Sequence, residues 1–204
     1  MDKIIVFDFD KTLTVRDTNF SFFRFIGKNQ PFYYARLLLY IALVIARKSN
    51  VISNLKLKNL GLYLFIGGKS ENEILDLSLQ FGKTIKLNNT VANLLMEYQK
   101  SENRVIIITA SIGSYVRSIY PNVEIIGSSI DFKSKIIKLG IHCYEQNKIK
   151  QLSDIGLNRI DTLYTDSISD LPLAKISNNI NIVSSNKIIE CDSLQYFIKH
   201  FNKK

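Results

Sequence analysis
The chain of 204 residues has no tryptophan, only three prolines and only two cysteines. The missing tryptophan accompanies an abundance of Lys, Asn and Ile, and is read as compositional bias without functional content. Cys143 and Cys191 lie far apart, outside any CxxC pair, with no His at zinc-ligand spacing. A thiolate metal site is therefore not expected, and a reducing cytoplasm is the default setting. No fixed-period repeat and no low-complexity tract occurs, and nothing in the composition points to disorder. Met-Asp-Lys leads straight into an apolar run, so no secretory leader is expected. Long uncharged stretches are also lacking. The most hydrophobic segment, Leu37–Ala46, is bounded by Arg36 and Arg47. It is half the roughly 20 residues that a membrane-spanning helix needs. A helix buried in the protein is the expected reading. A helix lying in a lipid interface, with basic residues snorkelling to phosphates, is the alternative.

Acidic residues are scarce in one region. Between residues 15 and 70, Asp17 is the sole acid, against Arg16, Arg24, Lys28, Arg36, Arg47, Lys48, Lys56, Lys58 and Lys69. The whole chain carries a formal charge of +9. The excess reads either as a solvated basic face or as a surface that meets an anionic partner. No nucleic-acid-binding motif accompanies it, so nucleic acid is not an expected partner.

Short apolar runs ending at polar loops are present at Lys3–Asp8, Arg104–Thr109, Val123–Ile126, Thr162–Thr165 and Ile180–Val183. Each suits a strand buried on both faces. Helical patterns fall between them at Val91–Lys100, Gly113–Tyr120, Gln146–Ser153 and Leu171–Lys175. This alternation predicts an α/β fold: a Rossmann-like parallel sheet flanked by helices. Functional groups in such sheets gather at the carboxyl ends of strands, where Asp8, Thr109 and Asp166 fall. Residues 130–142 suggest a β-hairpin turning at Lys133-Ser134-Lys135. Residues 16–85 break the pattern with about four helical segments. Pro31 is expected in the first turn of one, and Gly67-Gly68 at the end of another. Ser70 and Glu73 have capping-box spacing. The predicted organisation is a core of residues 1–15 and 86–204 with a helical insertion at 16–85.

The string DFDKTLT, Asp8 to Thr14, places two carboxylates one residue apart just beyond a buried strand. One carboxylate can attack phosphorus while the other handles the leaving-group proton. A DxD pair alone is weak evidence. With its apolar strand and the following Thr-Leu-Thr, the string resembles the first motif of the haloacid dehalogenase superfamily, DxDxT. The later motifs have counterparts in the expected order: Thr109 after RVIII, Lys148 in QNKIKQL, and Asp166 and Asp170 in YTDSISDLPLA.

That resemblance implies an enzyme, a phosphatase working through an aspartyl-phosphate. It implies Asp8 as nucleophile and Asp10 as general acid and base. Thr109, the Ala110 backbone N–H and Lys148 would hold the phosphoryl group. It also implies Mg²⁺, ligated by the Asp8 carboxylate, the Asp10 carbonyl and the Asp166 carboxylate, with Asp170 orienting the metal site. Hard oxygen donors suit that ion. The helical insertion resembles the cap of the phosphoserine phosphatase branch, with Asp17 as a candidate specificity residue.

Two positions depart from that branch: Ser169 stands where Asn is usual, and Glu145-Gln146 where Gly-Glu is usual. No cap arginine for a substrate carboxylate can be placed in the apolar GLYLFIGG segment. The apolar, basic cap therefore favours a phosphorylated lipid head group, met peripherally at an anionic inner membrane face, or another small phosphorylated metabolite. Phosphoserine hydrolysis, phosphotransfer and a catalytically silent binding protein are the alternatives.

Overall fold
A computed structural model describes residues 3–202. Along the chain run β1 (Ile4–Phe7), α1 (Asn19–Gly27), α2 (Tyr33–Lys48), α3 (Asn54–Ile66), α4 (Glu71–Gly82), α5 (Asn89–Lys100), β2 (Arg104–Ile112), α6 (Gly113–Ile119) and β3 (Glu124–Ser128). There follow β4 (Ile130–Asp131), β5 (Lys138–Leu139), α7 (Gln146–Asp154), β6 (Ile160–Thr165), α8 (Leu171–Lys175), β7 (Ser177–Ser184), β8 (Lys187–Cys191) and α9 (Leu194–Asn202).

Six strands form one sheet in the order β3-β2-β1-β6-β7-β8, parallel except for the antiparallel β7–β8 pair. The apolar runs have a simple cause. Ile5 and Phe7 of β1 enter one core layer, and Val6 between them enters the other. A strand covered on both faces needs apolar residues at every position. β1 lies in the middle, with Val6 paired to Ile106 on one side and Leu163 on the other. The chain leaves β1 for β2 and later crosses back to β6. Such a reversal opens a crevice at the strands' carboxyl ends. Asp8 follows β1 and Asp166 follows β6, on the two lips of that crevice.

The five expected strands are present. β8 is an addition: its turn has Ser185 in the left-handed region (φ 56) where a hairpin signal would show Asn-Gly. The expected hairpin at 130–142 forms as β4 and β5, with Asp131 accepting the Lys133 and Ser134 N–H groups in the turn.

After β1, helices α1–α4 occupy a stretch that precedes α5 and β2. Its ends meet: Thr14 bridges Leu87, the Val15 N–H donates to the Lys86 carbonyl (3.0 Å), and the Asn88 N–H to that of Leu13 (2.9 Å). The Ser70–Glu73 capping box forms, and Gly67 and left-handed Gly68 (φ 83) end α3. α1 and α3 approach closely because Gly61 has no side chain; a Cβ there would collide with the Phe23 ring.

Two expectations fail. Pro31 lies outside α2, whose N-cap is Phe32 in the left-handed region (φ 57). Nor is α2 a buried helix: of its residues only Tyr40 is fully buried. α3 covers one side of α2, and Arg36 ties the two by donating to the Leu64 carbonyl (3.1 Å). The opposite side, with Leu38 and Ile45, is exposed. No helix among the described residues is long and apolar enough to cross a membrane.

Candidate active site
Immediately after β1 the chain makes one wide turn, Phe9–Leu13, with Lys11 at φ 57. This turn lets Asp8 and Asp10 face one cleft despite their near adjacency. The cleft has a volume of about 910 Å³ and is also lined by Asp17, Ala110, Lys148 and Asp166. Of the other expected site residues, Asp170 is wholly buried against Lys148, and Thr109 is wholly buried without lining the cleft.

Lys148 organises the floor. From α7 its ammonium donates to Asp8 Oδ1 (2.7 Å) and Asp170 Oδ1 (2.6 Å). Thr165, the last residue of β6, donates to Asp170 Oδ2 (2.7 Å). Asp170 therefore fixes the lysine directly, a more specific contact than the metal-orienting role the resemblance implied. Burial opposes the lysine's charge, but Asp170 and Asp8 outweigh it and raise its pKa above the usual lysine range. Asp8 is raised well above the carboxylate range, first by burial and then by the Asp170 and Asp166 charges, with Lys148 offsetting part. Asp166 is pushed up to about 7, first by burial, with nearby Lys11 opposing and Asp170 and Asp10 adding to the rise.

The α7 entrance is strained. Glu145 has φ 48 and ψ −121, a backbone region that glycine occupies freely. This is the position where the phosphoserine phosphatase branch carries Gly. The strain costs on the order of 1–3 kcal/mol and is carried by the turn that delivers Lys148.

Asp10 is held separately. The Thr18 N–H (2.7 Å) and hydroxyl (2.6 Å) donate to Oδ1, while the Ser111 hydroxyl donates to Oδ2. Asn19 Nδ2 adds a long contact at 3.4 Å. Burial first, then the Asp17 charge, brings the Asp10 carboxyl up to about 6; the Ser111 and Thr18 bonds restrain the rise. Thr109 Oγ1 accepts the Ser111 N–H (2.9 Å), at an irregularity in the β2–β3 register.

Thr18, Ser111 and Lys58 were not legible as site residues. Thr18 is an ordinary hydroxyl at the start of α1, and Ser111 stands two residues past the expected motif position. Lys58 looked like one cation of a solvated face. Instead it is buried on α3, lines the cleft and donates to the Ala110 carbonyl (2.5 Å). Burial lowers its pKa from 10.5 to about 8, with Asp10 and Asp17 opposing. Its charged form therefore costs stability, a cost absent above the ordinary lysine range and acquired as pH falls through about 8. The shift corresponds to roughly 3 kcal/mol. Lys58→Met is expected to melt several degrees higher than the parent at pH 7, with the gap closing near pH 10. Thermal melts across that range check this, and a lower-melting variant at pH 7 contradicts it.

Two buried acids, Asp8 and Asp170, thus share one lysine, and Asp166 lines the same cleft. Burial first, and then the neighbouring carboxylates, keep Asp8 and Asp166 above the usual range. A hard divalent cation fits this oxygen donor set. No cluster of three or more His, Cys, Asp or Glu side chains converges as a ready cage among the described residues. Such an ion would take two carboxylates and complete its shell with backbone carbonyl and water, a habit of Mg²⁺.

A parallel sheet with carboxylates at its reversal and helices inserted after the first strand defines a doubly wound α/β fold. The sequence profile of the haloacid dehalogenase-like hydrolases matches residues 5–175. The chain belongs to that family.

Solved structures share its fold. One is a protein of unknown function from Bordetella pertussis Tohama I, with TM-score 0.73, 15% identity and 86% of each chain covered. A second is a phosphoserine phosphohydrolase-like protein from Francisella tularensis subsp. tularensis SCHU S4, with TM-score 0.62, 15% identity and coverage of 87% of this chain and 85% of that one. A phosphoserine phosphatase in apo form has TM-score 0.61 and 14% identity, covering 88% of this chain and 85% of that one. No curated protein matches the sequence.

Proposed function
We propose that the protein is a Mg²⁺-dependent phosphomonoester hydrolase acting through an aspartyl-phosphate on Asp8. The observation that carries this reading is the Lys148 bridge between Asp8 and Asp170, beside an Asp10 held by its own donors. The bridge aims one oxygen of Asp8 and leaves the carboxylate free to attack. In the first step Asp8 attacks phosphorus in line, the ester P–O bond breaks, and the Asp10 carboxyl protonates the leaving oxygen. In the second, Asp10 takes a proton from water, the water oxygen attacks phosphorus, and the Asp8 carboxylate is released. A carboxyl near 6 can serve as acid and base around neutral pH.

Lys148 and the Ala110 N–H, with Thr109 beside them, would neutralise and orient the phosphoryl oxygens. Mg²⁺ held by Asp8, Asp166 and the Asp10 carbonyl would supply charge neutralisation between the two anions that must meet. Residues 16–85 serve in this reading as a cap that excludes water.

The favoured substrate is the phosphate ester of an amphiphile, such as a phosphorylated lipid head group, met by a cytoplasmic enzyme at an anionic membrane face. Support comes from the cleft itself: Phe20, Ile41, Val44, Ile45 and Leu57 line it together with the acids. A second reading, phosphoserine hydrolysis, draws on the solved phosphatases and on Asp17, Arg16 and Arg24, which also line the cleft and could pair with an amine and a carboxylate.

A phosphate-release screen separates the readings. Mg²⁺-dependent release from lysophosphatidate or phosphatidylglycerol phosphate, with little from phosphoserine, is expected. Chelation should lower turnover roughly a hundredfold or more. Preferred turnover of phosphoserine would transfer the assignment to the second reading. Release that appears only with an added acceptor would make the protein a phosphotransferase. Activity untouched by chelation contradicts the Mg²⁺ assignment.

A further inference from the structure
α2 presents an apolar stripe that no part of the described chain covers. Tyr34, Leu38, Ile41 and Ile45 recur at helical spacing and are 78%, 69%, 40% and 59% exposed. Phe32, just before the helix, is 81% exposed. Water-facing apolar residues in such continuity mark a surface that meets something apolar. The stripe also has a direction: Ile41 and Ile45, at its far end, line the carboxylate cleft, as do Arg16, Arg24 and Lys48. Apolar and basic side chains thus share the cleft mouth, within a region whose only acid is Asp17.

We propose that α2 docks this stripe into the interface of an anionic lipid bilayer, laying the mouth of the catalytic cleft against the head groups. Charge complementarity selects this occupant. A basic rim around an apolar stripe matches anionic phosphates above acyl chains, and the helix is too short to cross. A second copy of this chain would bring the same basic rim against itself. Docking stands on the surface alone, while its consequence for turnover rests on the phosphatase reading above.

The test is co-sedimentation of the full chain with vesicles of phosphatidylcholine alone and of phosphatidylcholine mixed with phosphatidylglycerol. Binding to the mixed vesicles is expected to be at least about tenfold stronger and to weaken as salt rises. Tyr34→Glu/Leu38→Glu changes two exposed residues outside the cleft. It should cut partition by about tenfold or more, while turnover of a soluble phosphomonoester stays at the parent level. Equal partition of parent and variant, or no parent binding to mixed vesicles, overturns the proposal. So does a parent dimer in sizing that the variant dissolves while vesicle binding is absent. Repeating the assay with Asp8→Asn separates the two readings, since an inactive protein that still binds vesicles upholds docking, and an active one that does not bind refutes docking alone.

Discussion

Asp8→Asn is expected to lower turnover by about four orders of magnitude or more and to remove the trapped phosphoenzyme, while the fold survives. Asn has nearly the same shape but offers no anionic oxygen for attack. Its stability effect has a definite sign. The Asp8 carboxyl is raised above its ordinary value by burial and by Asp170 and Asp166. A group raised in the folded state contributes stability that is full below its unfolded value near 3.8 and is lost as pH rises through the folded value. At neutral pH the ionised Asp8 is thus a cost, partly repaid by Lys148, which keeps Asp170 as a partner when Asp8 is neutral. The variant should melt at or above the parent temperature in metal-free buffer. Acid-quenched labelling with a radiolabelled phosphomonoester, beside thermal melts, reads both effects. Robust turnover by this variant would falsify the nucleophile assignment. Asp10→Asn should also be severely impaired, because no group is then placed to protonate the leaving oxygen.

Lys148→Met should do the opposite to stability. It removes the ammonium that bridges Asp8 and the wholly buried Asp170, leaving two carboxylates without that counter-charge. Breaking a buried pair in this way costs about 3–5 kcal/mol, a fall in melting temperature of roughly 10 °C for a chain of this size. Turnover should fall with it, since nothing then neutralises the phosphoryl oxygens as Asp8 approaches them. Adding Asp170→Asn should restore part of the stability and none of the activity, because it removes an orphaned charge without returning a cation. Denaturant melts of both single variants and the double complete the cycle. A Lys148→Met protein as stable as the parent contradicts the ion-pair account.

The carboxylates proposed for the site were legible as candidates because the resemblance rests on particular residue types at particular strand ends. DFDKTLT, Lys148 and the Asp166/Asp170 pair are short, local and ordered along the chain. The sheet was legible because strands covered on both faces must be apolar at their covered positions, as IIVF and the VIII of Val105–Ile108 are. What escaped notice shares one property: it depends on packing between distant segments. Thr18 and Ser111 are common residues whose importance lies in reaching Asp10 from α1 and from β2. Lys58 was indistinguishable from its basic neighbours until α3 was laid over Ala110. β8 carried no turn signal because Ser185 adopts a conformation its residue type does not advertise.

The sequence by itself determined the alternation of strands and helices, the run of helices after the first strand and which acids stand as candidates, since periodicity and residue chemistry are local properties. The tertiary structure decided which cation stays charged between which acids, which lysine is buried and which face of α2 remains uncovered. Burial and charge pairing are set by neighbours far away in the chain, and a helix's apolar stripe is core or docking surface only according to what packs against it.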